Sequence, residues 1–401
     1  MASLIAWLDS TPEEQRLARE LIQLFTQREG RDELGIGQIR DAFSDEIFPG
    51  TSVIQTRARY FLFVPWCYSS GRAARAHGAQ VARVGEIQER ELIKTLLDAG
   101  LEDAVGLIGR RVGPTVKTLP STIYWSGLRR YGILAHDGEL GLLVPAGATH
   151  GATELSERVF SDWDPGLPPP PAGFPKAVPG GFALVREEAE WLAERITSAA
   201  PGSVLAHLID QRAIIARQCA FVWDVVSTGE FEVLDHAYLF SSTMHGASLL
   251  YNLLVGEAYD AHPALNAIEE AAETYRERID EWVTGFVEPE LARLQAWDLD
   301  RMWQLVLAAN PRIDSRAQGF VETWVGAMRS GGHARLADNK ELRQLVRARE
   351  ERKGKLSRLL NDRMLSTWSG ASGSAQLDFR WATVRGIVND IVRGLDADAG
   401  T

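Results

Sequence analysis

From Leu184 to about Met328 the apolar residues recur at helical spacing, and no other feature so narrows what this chain can fold into. A stripe that returns every three to four residues has to be buried against another helix, not on a sheet. The spacing predicts helices over 184–199, 203–225, 230–256, 262–286, 288–308 and 316–328. Trp282, Trp297, Trp303 and Trp324 are expected as packing anchors, and His245 and Tyr251 fall on apolar helix faces. The longest apolar run, Ala247–Val255, is interrupted by Tyr251 and Asn252 and is too short to span a bilayer. The predicted fold class is mainly α and multi-helical, with room for a small β or winged-helix element.

The flanks read the same way. Leu17, Leu21, Leu24 and Phe25 predict a helix over 12–30, and Ile39, Phe43 and Ile47 the buried face of a second over Ile39–Phe48. Ile54–Trp66 mixes strand-like composition with helical spacing and is read as a helix ended by Pro65. Helix is also expected over 72–111 and from Pro120, with Ile123, Tyr124, Leu128 and Tyr131 as its stripe and Gly132 as its end. Residues 136–181 form a Pro/Gly-rich connector pinned by Trp163 and Phe174. Lys340–Arg363 reads as a basic helix, Ser366–Ser374 as a loop, and Val384, Ile387, Val388 and Ile391 as the stripe of a final helix. The expected organisation is a basic DNA-binding and catalytic part (1–135), the connector (136–181), an acidic helical domain (182–330) and basic C-terminal helices packing back on the N-terminal part (331–401).

Charge separates these parts. The net charge of −11 hides 12 Lys and Arg against 6 Asp and Glu in residues 47–135, 13 against 29 in 136–330, and 13 against 9 in 331–401. Two basic blocks permit a polyanionic partner that the overall balance would argue against. Two cysteines in 401 residues point to a reducing compartment. The start, MASLIAWLDSTPEEQ, lacks the pattern of a secretory signal, so a cytoplasmic protein with no membrane partner is expected. There is no C-x-x-C and no H-E-x-x-H, so no structural zinc site is expected, and the absence of G-x-x-x-x-G-K-[ST] and of G-x-G-x-x-G after a strand gives a nucleotide cofactor no support.

Polar chemistry concentrates in Arg31–Trp66. Gly35-Ile36-Gly37 before a helix is either a phosphate-binding hairpin or a tight interhelical turn. The hairpin pattern would carry a proline before the first glycine and an alanine at position 41, where this chain has Asp41. Gly106–Gly109 beside Arg110 and Arg111 poses the same alternatives. Arg40 and Asp41 could be a catalytic carboxylate beside a guanidinium, with Glu46 as second candidate, or an ordinary ion pair. Gln55, Thr56, Arg57, Arg59 and Tyr60 offer the groups that bind phosphates and bases, or else line a solvated helix face. Trp125 and Arg129 repeat that signal more weakly.

The run Asp32-Glu33-Leu34-Gly35-Ile36-Gly37, Ile39-Arg40-Asp41-Ala42-Phe43, then Phe48-Pro49-Gly50-Thr51-Ser52 and Ile54–Phe63 with Pro65-Trp66, resembles a bacterial anti-phage DNA glycosylase family. Pro120-Ser121, Ile123-Tyr124-Trp125, Trp368, Gly370 and Arg380-Trp381 extend the resemblance from near Leu4 to near Leu395. That family excises α-glucosylated hydroxymethylcytosine from the DNA of T-even phages. The resemblance implies base flipping and N-glycosidic hydrolysis to an abasic site, without a metal or other cofactor. The N-terminal block has no lysine suitably placed for a Schiff-base lyase step, so a monofunctional enzyme is expected. Its implied partners are modified phage DNA and other proteins of a defence system. The competing expectation is a non-catalytic DNA-binding or adaptor subunit of a helicase–nuclease defence complex.

Overall fold

The computed structural model describes residues 32–69, 79–100, 106–134 and 163–397. The expected helix over 12–30 and the first part of the connector lie outside them. The described chain is mainly helical. Among the described residues no strand forms, and the pairing of Leu134 with Trp163 is an isolated bridge, so the β element allowed from sequence is not seen there. No described helix is long and apolar enough to cross a membrane.

The chain forms two compact units of interleaved segments. One contains Phe48–Ala220 and Arg380–Thr401, the other Glu29–Ile47 and Phe221–Phe379. These boundaries differ from those expected: residues 182–220 group with the basic segment, and Gly35–Ile47 with the acidic helices. Of the basic C-terminal segment, only the part from Arg380 onward groups with Phe48–Ala220.

In the first unit the central element is a helix whose residues Tyr60 to Tyr68 are all buried. It spans Tyr60–Ser69, with Pro65 inside it rather than at its end. Helices Ala79–Asp98 and Pro120–Arg130 pack on it, while Arg186–Ala199 and Val204–Asp210 pack on the last helix, Trp381–Leu395. A helix buried on every side is what an uninterrupted apolar run dictates. Residues 54–59 are not helical, contrary to expectation, because side chains from elsewhere take their amides. The Tyr124 hydroxyl accepts from Thr56 N and Arg57 N at 2.7 and 3.0 Å, and Asp390 Oδ2 accepts from Ala58 N at 3.1 Å. The connector is pinned as predicted, since Trp66 Nε1 donates to Pro168 O at 2.7 Å and Phe174 packs on Phe63 and Trp66.

The second unit is built around Glu232–Asp260, again buried all round from Leu249 to Gly256. Gly37–Ile47, Ala271–Trp282, Leu299–Ala309, Ser315–Arg329, Lys340–Glu351 and Asp362–Leu365 pack against it or one another. The four expected tryptophan anchors are buried, and Trp324 and Trp282 donate their indole N–H to carbonyls of the central helix, Thr243 O and Ser242 O. The predicted helix 288–308 divides at Trp297, where Asp298 caps a new helix by accepting from Arg301 N. The predicted helix Lys340–Arg363 stops at Glu351. Gly354 turns the chain at φ +57°, and Glu350 accepts from Arg358 N at 2.6 Å.

Candidate nucleic-acid interface

The glycine-bracketed turn at Gly35–Gly37 opens a helix, but its amides are already engaged. Asp32 accepts from Ile36 N at 2.9 Å and Gly37 N at 2.8 Å, which caps Gly37–Ile47 and removes the donors a phosphate would need. Gly35 has φ +66°, and a Cβ there would lie 2.6 Å from the Arg349 guanidinium, which donates to Leu34 O and Gly35 O. The turn is therefore a tight turn into Gly37–Ile47 and not a phosphate-binding hairpin. Behind it, burial works to raise the Glu33 carboxyl, but the Lys353 ammonium and Arg358 guanidinium outweigh it and hold it below its ordinary value.

Arg40 and Asp41 lie one turn into that helix, off its buried face as the spacing predicts. The guanidinium donates twice to Asp41 Oδ1, at 3.0 and 2.9 Å, and the carboxylate is 45% exposed. Glu46 is exposed on the same helix. Both belong to the second unit.

The stretch 55–60 belongs to the first unit, and there the structure assigns structural tasks to most of its polar groups. Gln55, 1% exposed, accepts from Ser52 N and donates to Gly50 O. Arg57 is bidentate to Asp390 at 2.8 Å and lies over the Phe182 ring. Arg59, 2% exposed, donates to Pro179 O, Gly181 O and Glu188 Oε1, each at 2.8 Å. Tyr60 is fully buried and accepts from Ile108 N. The expectation that Gln55, Arg59 and Tyr60 face a nucleic acid is thus corrected: burial and internal hydrogen bonds remove them from the surface.

These residues instead build a platform for the second glycine-bracketed turn. Thr56 Oγ1 donates to Gly106 O at 2.7 Å, Tyr60 receives Ile108 N, and a Cβ at Gly106, φ +100°, would lie 2.8 Å from Arg57 Cγ. Leu107 and Ile108 are buried under the loop, and Arg90 donates to Val116 O and Pro114 O at its far side. Held in this way, the loop turns Arg110, Arg111 and Lys117 to solvent, and the following helix exposes Arg129 and Arg130 at its C-terminal end. The segment Gly106–Leu134 carries these five cations and contains no Asp or Glu of its own. Two arginines in the last turn also suit the negative end of that helix. Trp125 is half-buried on the same helix against Tyr68 and Trp163, four residues before Arg129.

Glu89 escaped the sequence reading. It is fully buried on Ala79–Asp98 and accepts from Ser121 N, Ser121 Oγ and the Tyr68 hydroxyl at 2.6, 2.7 and 3.2 Å. Because Leu119 has no side-chain acceptor, Glu89 caps Pro120–Arg130 from another helix. Burial pushes its carboxyl up to about 7, against the hydrogen bonds from Ser121 and Tyr68. The period of Glu89 on its helix gives no hint of this, whereas the acid-free segment 106–134 was readable by counting. Among the described residues no group of three or more His, Cys, Asp or Glu side chains is placed to hold a metal.

A basic, backbone-pinned loop and a cationic helix end together make a surface suited to a polyanion. The model of a family of unknown function, DUF6361, matches residues 2–400, and the chain belongs to that family. Neither a curated protein nor a solved structure matches it.

Proposed function

We propose that this protein is a DNA glycosylase of anti-phage defence that hydrolyses the N-glycosidic bond of a glucosylated hydroxymethylcytosine. The observation that supports a DNA substrate most is the acid-free segment Gly106–Leu134, whose five cations are all exposed on a scaffold fixed from behind. Such cations engage phosphates without regard to sequence and set the register of the duplex. The specific reaction comes from the family resemblance along the chain.

In that reaction the C1′–N1 bond of the nucleotide breaks and the base leaves with its electron pair, to be protonated. A water oxygen then bonds to C1′ and yields a proton to a base. A carboxylate stabilises the oxocarbenium-like sugar and orients the water. Asp41 is assigned that role, with Glu46 as the second candidate, because Asp41 is open to solvent and fixed by Arg40. Trp125 and Arg129 are the remaining base- and phosphate-contacting candidates that lie on an accessible helix face.

The test incubates the full chain with duplex carrying glucosyl-hydroxymethylcytosine and with unmodified duplex, then reads alkali-labile abasic sites. Release from the modified duplex only is expected, and Asp41→Asn should lower it at least about a hundredfold while leaving duplex affinity within a few-fold. An Asp41→Asn protein as fast as the parent would remove Asp41 from the mechanism. Tight binding with no product from either duplex would favour the adaptor subunit.

A further inference from the structure

The tip of the pinned loop, Arg110-Arg111-Val112, is unlike a solvated connection. Val112 is 58% exposed, although an apolar side chain left in water contributes nothing to folding. Its backbone is stiff: Gly109 O accepts from Val112 N and Gly113 N at 3.2 and 2.7 Å, and Thr115 Oγ1 donates to Val112 O at 2.7 Å. Leu107 and Ile108 root the loop in the core on one side, and Arg90 clamps it on the other. An apolar residue is thus exposed on an internally hydrogen-bonded turn, directly after two exposed guanidiniums and within a segment free of acids.

We infer that Val112 is a wedge that enters a base step of duplex DNA while Arg110 and Arg111 hold the adjoining phosphates. This rests on the reading that the chain excises a base, since extruding a nucleotide leaves a gap in the stack. Filling that gap with an apolar side chain offsets part of the unstacking cost, and a short branched residue suits one vacated position. Because the loop is already ordered, little is lost in fixing it at the moment of insertion. The two arginines supply the electrostatic grip and Val112 the insertion, so the two contributions separate experimentally.

The experiment uses the full chain with Val112→Ala and with Arg110→Ala/Arg111→Ala. The substrates are duplex and single-stranded oligonucleotides that carry the same glucosylated cytosine next to 2-aminopurine. Val112→Ala is expected to lower the duplex-to-single-strand excision ratio and the duplex 2-aminopurine signal roughly tenfold, with duplex affinity changed less than about threefold. The double arginine variant is expected to weaken binding to any duplex and to flatten its salt dependence by about two contacts. An unchanged ratio in Val112→Ala, or an equal loss on both substrates, would overturn the wedge while leaving the glycosylase reading intact. If the parent protein excises nothing from either substrate, that reading fails and the wedge falls with it.

Discussion

Glu89 carries the clearest single-residue consequence. Its folded carboxyl lies near 7 against an ordinary 4.5, so between those values the folded state holds a proton that the unfolded state has lost. The contribution is therefore most favourable below about pH 4.5 and is lost as pH rises through 7, at about 1.4 kcal/mol per pH unit. Glu89→Gln keeps an acceptor for Ser121 N and cannot ionise. Urea unfolding at pH 8 should find Glu89→Gln more stable than the parent by on the order of 3 kcal/mol, with the difference shrinking toward zero at pH 4.5. A constant difference across that range would show that Glu89 does not titrate there. No periodicity argument could have found this residue, because its importance comes from Ser121, thirty-two positions away. The same holds for Arg59, whose neighbours in sequence suggested a phosphate contact but whose partners are Glu188 and two distant carbonyls.

Among the elements, those whose identity depends on their own residues were legible. Ile39, Phe43 and Ile47 are buried on one face of their helix, and Val384, Ile387, Val388 and Ile391 on theirs, because a 3.6-residue period fixes the buried side before any partner is known. Tyr124 and Leu128 likewise turn inward on Pro120–Arg130 and leave Arg129 and Arg130 outside. What the period missed was Ile54–Arg59, where Tyr124 and Asp390 capture amides that a helix would have used. The Tyr124 hydroxyl both receives two of those amides and donates to Arg57 O at 2.9 Å. Thr56 N and Arg57 N should thus be among the slow-exchanging amides although they lie in no helix. Tyr124→Phe leaves these part-buried amides without that acceptor and should cost on the order of 1–2 kcal/mol. Hydrogen exchange of these two amides at the parent rate in Tyr124→Phe would refute that account. The readable part of the candidate interface was the pair of arginines after Gly109; the unreadable part was what held them in place.

On the scale of the whole molecule, an acidic net charge coexists with a local basic surface because the acids are concentrated elsewhere in the chain. The number of polar groups in Arg31–Trp66 proved a poor guide to surface function, since much of that richness is spent on internal fixtures. The interleaving of the two units was not foreseen, because composition reports segments and not which distant segments meet. It has a consequence for how the protein is made. Arg57 finds Asp390 333 residues later, and Trp381–Leu395 packs on Arg186–Ala199. On the ribosome the first unit therefore stays unfinished until Asp390 has been made, with the Arg57 guanidinium and Ala58 N lacking their final partner until then. A chain stopped after Phe379 should not gain the protease resistance of that unit, while supplying residues 380–401 as a separate peptide should restore it in part. For this unit folding has to wait on synthesis: a partner made 333 residues after Arg57 completes the structure begun there.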